Sequence, residues 1–80
     1  MREFDVEECL LPQLTAAHYH YSIDKSAPNK GYRQIRLVFW NEPDFRNAYQ
    51  RILAFCYDND GYIMHTSIIN TSVTLLARMN

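Results

Sequence analysis

Two stretches of the chain alternate between apolar and polar residues, the pattern of a β-strand with one buried face. The first runs from Ala17 to Asp24 and the second from Arg33 to Trp40. Both contain aromatic and β-branched residues, which favour strands, and the connecting segment contains Pro28, Asn29 and Gly31, which favour turns. The pattern predicts a β-hairpin whose core-facing residues are Ala17, Tyr19, Tyr21, Ile23, Ile35, Leu37 and Phe39.

A third periodic segment, from Pro43 to Tyr57, repeats apolar residues every three or four positions, which predicts a helix with one buried stripe. Asn41 is suited to the N-cap position, and Asp44 complements the positive end of the helix dipole. After the helix, Asn59 or Gly61 is suited to a left-handed C-terminal cap. The stripe consists of Phe45, Ala48, Tyr49, Ile52, Phe55 and Cys56.

Two further strands are predicted after the helix. Residues 62–69 are apolar on both faces, which is typical of a central strand or of an interface strand, and Val73 to Met79 alternate. Asn70 and Thr71 separate them as a turn. Before the hairpin, Asp5 followed by Glu8 resembles a capping box that opens a short helix, but an irregular or extended arm fits residues 1–16 as well.

The order ββαββ predicts an α+β fold: a small antiparallel sheet of about four strands, with one main helix packed on one face. Its 80 residues form a single domain, residues 1–80. We expect Leu37, Phe39, Ile52 and Phe55 to lie in the core. Six Tyr and four Phe are more than one sheet and one helix can bury, so some aromatic surface should remain exposed.

The charge balance argues against two classes of function. The formal net charge is −1, whereas duplex-binding proteins carry a basic excess and DNA mimics a large acidic one. The N-terminus has no apolar leader and no run is long enough to span a membrane. Cys9 and Cys56 are expected to be reduced and largely buried. We therefore expect a cytoplasmic protein with no membrane contact.

Candidate catalytic and metal-binding groups are sparse. His18 and His20 have the spacing that points two imidazoles at one ion, and His65, Cys9 and Asp24 could complete a site. Without a second closely spaced pair, we expect no metal and no cofactor. No serine or cysteine lies in a setting that activates a nucleophile, so we expect no enzymatic activity.

The stretch from Lys30 to Trp40 and on to Ala48 resembles the second half of an RNA-recognition motif, in which a strand opening Lys-Gly-Tyr precedes a helix with an acidic start. That resemblance implies base stacking on exposed aromatic residues. The strand–helix–strand first half of that motif does not fit before Lys30. In this chain, the outer face of the strand from Arg33 to Trp40 also carries Gln34 and Arg36, where the motif has aromatic residues.

The outer face of the hairpin is the best candidate for binding a partner, because Trp and Arg are enriched in interface hot spots. The sequence thus predicts a non-enzymatic protein-binding module, of the size of small bacterial or phage-encoded inhibitors and adaptors, or a homodimer. The alternatives are an RNA or single-stranded DNA binder, and a small subunit of a larger enzyme. The candidate partner-binding residues are His18, His20, Gln34, Arg36, Val38 and Trp40.

Overall fold

The computed structural model describes all 80 residues of the chain. Helix α1 covers residues 3–16, as α-helix over Glu3–Asp5, a π-helical turn over Val6–Leu10 and α-helix over Leu11–Ala16. Two strands follow, β1 (Tyr21–Lys25) and β2 (Tyr32–Phe39), then helix α2 (Glu42–Asp58). Strands β3 (Tyr62–Ser67) and β4 (Ser72–Arg78) complete the chain.

The four strands form one antiparallel sheet in the order β1-β2-β4-β3. The predicted fold class is confirmed: one long helix crosses a four-stranded sheet, and the undecided N-terminal segment is a second helix. Of the two alternatives for residues 62–69, a central strand or an interface strand, the first is wrong. Strand β3 is at an edge, and β4 takes the central place beside β2.

Both helices pack on the same face of the sheet. Ile35 and Leu37 of β2 pair in register with Leu75 and Val73 of β4, so these four side chains point to one side. The stripe of α2 covers them, and Val6, Leu10 and Leu14 of α1 close the same core. Leu37, Phe39, Ile52 and Phe55, which were expected in the core, are all buried. The core consists of Val6, Leu10, Leu14, Ile35, Leu37, Phe39, Phe45, Ala48, Ile52, Phe55, Cys56, Val73, Leu75 and Ala77.

The first strand begins four residues later than its alternation predicted. Ala17 and Tyr19 donate backbone hydrogen bonds to Gln13 and Leu14 of α1, so this part of the pattern belongs to the end of the helix. His18 lies at φ 62°, in the left-handed region that ends a helix. The assignment of Ile23 to the core was also wrong: its side chain is 42 % exposed, because β1 is an edge strand.

The ends of α2 show why the chain turns where it does. The Asn41 side chain accepts a hydrogen bond from the Asp44 N–H at 2.8 Å, as expected of an N-cap. At the other end the left-handed residue is Asp60, at φ 52°, in place of the predicted Asn59 or Gly61. Gly61 N–H donates to the Cys56 carbonyl at 2.7 Å, the bond of a Schellman motif.

The tip of the β1–β2 hairpin is a two-residue turn. Asn29 and Tyr32 exchange backbone hydrogen bonds of 2.8 and 3.0 Å. Between them, Lys30 and Gly31 both have positive φ, which is the geometry of a type I′ turn. The strand register, in which Ile23 faces Leu37, is shifted by one residue from the Asn29–Tyr32 pair at the tip, so the hairpin is irregular between the turn and the strands.

Candidate functional site

One whole face of the sheet is left without a covering layer, because α1 and α2 both lie on the other face. The strand registers place alternate residues of all four strands on this side. We call it the open face. Its residues are His20, Ser22, Asp24, Tyr32, Gln34, Arg36, Val38, Trp40, Tyr62, Met64, His65, Ser67, Ser72, Thr74, Leu76 and Arg78.

Five of the six partner-binding candidates lie on the open face. Strand β2 presents Gln34, Arg36 and Val38, and its alternation continues to Trp40 just beyond the strand. His20 pairs with Trp40 through the backbone bond from Trp40 N–H to His20 O, at 3.0 Å. His18 is not part of the face, since it lies in the turn after α1. The expected His18–His20 strand pair is therefore not formed.

One end of the open face is built around the single tryptophan. The His20 and Trp40 rings stack at 5.4 Å between centroids, with 25° between their planes. The Asp44 carboxylate accepts the His20 N–H at 3.0 Å and lies 3.6 Å from His20 Nδ1. These contacts hold the imidazole against one face of the indole. The Trp40 side chain nevertheless remains 71 % exposed.

The middle of the open face is polar and locally neutral. Arg36 Nη2 donates to Asp24 Oδ2 at 2.8 Å, and both side chains are exposed. A shallow concavity of about 240 Å³ lies beside this pair, next to Gln34 and Thr74. Arg36 therefore has a partner within the chain, and a bound molecule would have to compete with Asp24 for it.

The opposite end carries an apolar cluster that the sequence analysis did not single out. Tyr32, Tyr62 and Met64 are exposed there. Leu76 pairs in register with Tyr62 and lines a hollow together with both tyrosines. A groove of about 620 Å³ runs from Met64 and Leu76 to the hairpin tip at Lys30. The sequence did contain an indication of this exposed cluster, because the residues of β3 are apolar on both faces. Which of them would be exposed depended on β3 taking the edge of the sheet.

Two cations flank this apolar end. Lys30 lines the groove and Arg78 lines a neighbouring hollow of about 280 Å³ beside Tyr32 and Tyr62. Neither cation takes part in an ion pair, whereas Lys25, Arg33, Arg36 and Arg46 all do. The free positive charge of the sheet is thus concentrated at the end opposite to Trp40.

The cysteines and histidines do not converge. Cys56 is buried in the core, and burial raises the pKa of its thiol, so it is a poor nucleophile at neutral pH. Cys9 is exposed, contrary to the expectation of two buried thiols. His65 lies on β3 opposite Thr74, at the far edge of the sheet from His20, which precedes β1. Nowhere do three His, Cys, Asp or Glu side chains come together as metal ligands could.

Neither helix is long and apolar enough to cross a membrane. Comparison with protein-family models, with curated proteins and with solved structures finds no match for this chain. The open face is therefore the feature of the fold from which a function can be argued.

Proposed function

We propose that this protein is a non-enzymatic module that binds another protein stoichiometrically through the open face of its sheet. The observation that carries the proposal is the exposed Trp40, stacked on His20 at the rim of a face that no element covers. A large aromatic side chain fixed before binding loses little conformational entropy when a partner covers it, and such residues dominate interface energetics.

The pattern along the face is that of a mixed interface. Apolar contacts at the Trp40 end and at the Tyr32–Tyr62 end are separated by the polar middle with Arg36 and Asp24. Protein interfaces commonly combine buried aromatic anchors with hydrogen-bonding groups. A partner that spans both ends would bury the anchors and exchange hydrogen bonds with Gln34, Thr74 and His65.

The open face is less well suited to binding single-stranded nucleic acid than to binding a protein. Tyr32 and Trp40 are eight residues apart on β2, which is roughly 26 Å in an extended strand, so they do not form a continuous stacking platform. Arg36 is neutralised by Asp24. Nucleic-acid affinity also depends on neutralising phosphates, and only Lys30 and Arg78 offer free charge at this sheet face.

The test is capture of a partner from a nuclease-treated lysate of the source cells, with immobilised wild type, Trp40→Ala and a control variant. Tyr57→Ala is the control, because Tyr57 is equally an exposed aromatic residue but lies on α2, away from the open face. We expect wild type and Tyr57→Ala to retain one protein in equimolar amount, and Trp40→Ala to lose it. Circular dichroism verifies that all three are folded.

Two results would contradict the proposal. If Trp40→Ala captures the same protein as well as wild type does, the open face around Trp40 is not the binding surface. If the protein captures none but binds single-stranded oligonucleotides with strong salt dependence, and Tyr32→Ala weakens that binding, the function is nucleic-acid binding.

A further inference from the structure

The most exposed large apolar side chain of the protein is Ile69, in the turn between β3 and β4, at 95 % exposure. The turn is closed by the bond from Thr71 N–H to Ile68 O at 3.2 Å, which puts Ile69 at its first central position. The Ser67 hydroxyl accepts the Asn70 N–H at 3.2 Å. Polar neighbours thus satisfy the turn, and turns favour Gly, Pro, Asn, Asp and Ser at such positions. Nothing within the monomer accounts for isoleucine there.

An apolar groove lies directly beside this turn. It has a volume of about 310 Å³ between the start of α2 and the end of β3, and Phe45, Tyr49 and Ile68 form its apolar lining. Thr66 and Gln50 complete the walls with Arg46, whose guanidinium is held by Glu42 at 2.7 Å. We call Ile69 together with this groove the Ile69 patch.

The Ile69 patch contains a projecting side chain and a receiving groove next to each other, with Ile68 belonging to the groove and Ile69 projecting from it. A two-fold symmetric dimer requires this arrangement, because each copy must offer the same surface that it contacts. We propose that a second copy of this chain docks on the Ile69 patch, with Ile69 of each copy in the groove of the other.

Charge supports a second copy as the occupant. Across a two-fold axis every residue near the axis meets its own counterpart, so a charged residue there would meet a like charge. From Gly61 to Ala77 the chain contains no Asp, Glu, Lys or Arg. The other edge strand, β1, carries Asp24 and Lys25. The β3 side of the molecule therefore has no charged residue between Gly61 and Ala77 that would meet its own counterpart near a two-fold axis, and the one charged side chain lining the groove, Arg46, is paired with Glu42.

The irregularity of β3 decides how the copies meet. The register shift between Ile63 and His65 is a bulge, and bulges at edge strands oppose pairing with another strand. Extension of the sheet along the whole β3 edge is thereby disfavoured. The contact is made by side chains at the end of β3, where Thr66 and Ile68 line the groove.

The experiment is size-exclusion chromatography with light scattering over a range of concentrations. Wild type should approach twice its monomer mass of 9.5 kDa as concentration rises. Ile69→Asp should raise the dimer dissociation constant at least about tenfold, because it places two carboxylates in apolar grooves. The fold should not change, since the Ile69 side chain is 95 % exposed in the monomer. Tyr49→Ala in the groove should have the same effect on association.

Trp40→Ala is the matched control: it removes an exposed aromatic residue from the open face and should leave the dimer intact. In turn, Ile69→Asp should keep any partner captured through the open face, so failure of one proposal does not imply failure of the other. A wild type that stays at monomer mass at every concentration would overturn this inference. So would an Ile69→Asp variant that dimerises as well as wild type, or a dimer that only Trp40→Ala dissociates.

Discussion

At the residue scale, the two glycines of the chain have different physical roles. Gly31 is at φ 82° with no atom within 4 Å of where a Cβ would be, so only its backbone conformation requires glycine. Gly61 has an ordinary φ, but a Cβ there would lie 2.8 Å from Cys56 Cα and Cβ. The close approach comes from the bond between Gly61 N–H and Cys56 O that ends α2. Gly61 is thus needed for space and Gly31 for φ.

Replacing these glycines by alanine should separate the two effects. Gly61→Ala should lower the free energy of unfolding by about 1–3 kcal/mol, as overpacking does, because the backbone of Cys56 cannot move away. Gly31→Ala should lower it by about 1 kcal/mol, the cost of a left-handed alanine. Urea denaturation of both variants measures the difference. A Gly61→Ala protein as stable as wild type would show that the end of α2 shifts freely.

At the element scale, α1 is attached to the sheet by a buried carboxylate. Glu3 is only 6 % exposed, and it accepts hydrogen bonds from Lys25 at 3.1 Å and from Arg33 at 3.0 Å. Lys25 also pairs with Glu7, one turn along the helix. Burial alone would raise the pKa of Glu3, but the hydrogen bonds and charges of Lys25 and Arg33 outweigh it and lower that pKa. This cluster joins α1 to β1 and β2.

The lowered pKa predicts how stability depends on pH. The unfolded chain binds the Glu3 proton more tightly than the folded one, so this contribution is present at neutral pH. It is lost as pH falls from 4.5 through the lowered pKa. Glu3→Gln should therefore be less stable than wild type at neutral pH, and the difference should shrink in acid. Urea titrations at several pH values measure it, with Glu8→Gln, which removes an exposed carboxylate, as control. A difference that is constant with pH would assign the effect to packing.

The contribution of Lys25 to stability has the opposite dependence on pH. Hydrogen bonding to Glu7 raises the pKa of Lys25 above 10.5, against the effect of burial, and Glu3 adds to the increase. The stabilising contribution of Lys25 is therefore fully present below pH 10.5 and is lost only as pH rises through its raised pKa. Between the acid range in which Glu3 is protonated and the basic range in which Lys25 loses its proton, the ion pairs that hold α1 on the sheet stay charged.

At the scale of the whole molecule, one core holds every element together. Leu10 of α1 and Leu37 of β2 are both fully buried in the same cluster, although they lie far apart in the sequence. A domain of this size with one core is expected to unfold in a single cooperative step. Helix α1 should therefore not detach before the sheet unfolds.

Leu10→Ala and Leu37→Ala test this cooperativity. Each should lower the free energy of unfolding by about 2–5 kcal/mol, through lost contacts and a residual cavity. In each variant the transitions seen by far-ultraviolet circular dichroism and by Trp40 fluorescence should coincide, because α1 and the sheet that carries Trp40 at its end share one core. Leu53→Ala, an exposed leucine of α2, should cost less than about 1 kcal/mol. A separate early transition in Leu10→Ala would show that α1 unfolds independently.

The sequence by itself determined the hairpin, helix α2 and the sides that most of their residues face. A strand alternates with period two and a helix with period near 3.6, so Leu37 and Ile52 could be assigned to the core, and Gln34, Arg36, Val38 and Trp40 to the outer face. The N-cap at Asn41 could also be predicted, because its side chain accepts a hydrogen bond from the backbone N–H only three residues further along the chain. These features depend on neighbours in the chain.

Only the tertiary structure decided the order of the strands and the contents of the open face. Local periodicity carries no information on which strand pairs with which, so the apolar residues of β3 fitted a central strand as well as an interface strand, and the structure places β4 between β3 and β2. For the same reason Tyr62 and Met64 could not be assigned to a surface, nor the Ile69 patch recognised, since its groove joins α2 to β3. Ala17 to Tyr19 fit the alternation of a strand, but their N–H groups donate to carbonyls at the end of α1. These features depend on which distant segments pair with one another, and the residue pattern within a single segment does not specify that pairing.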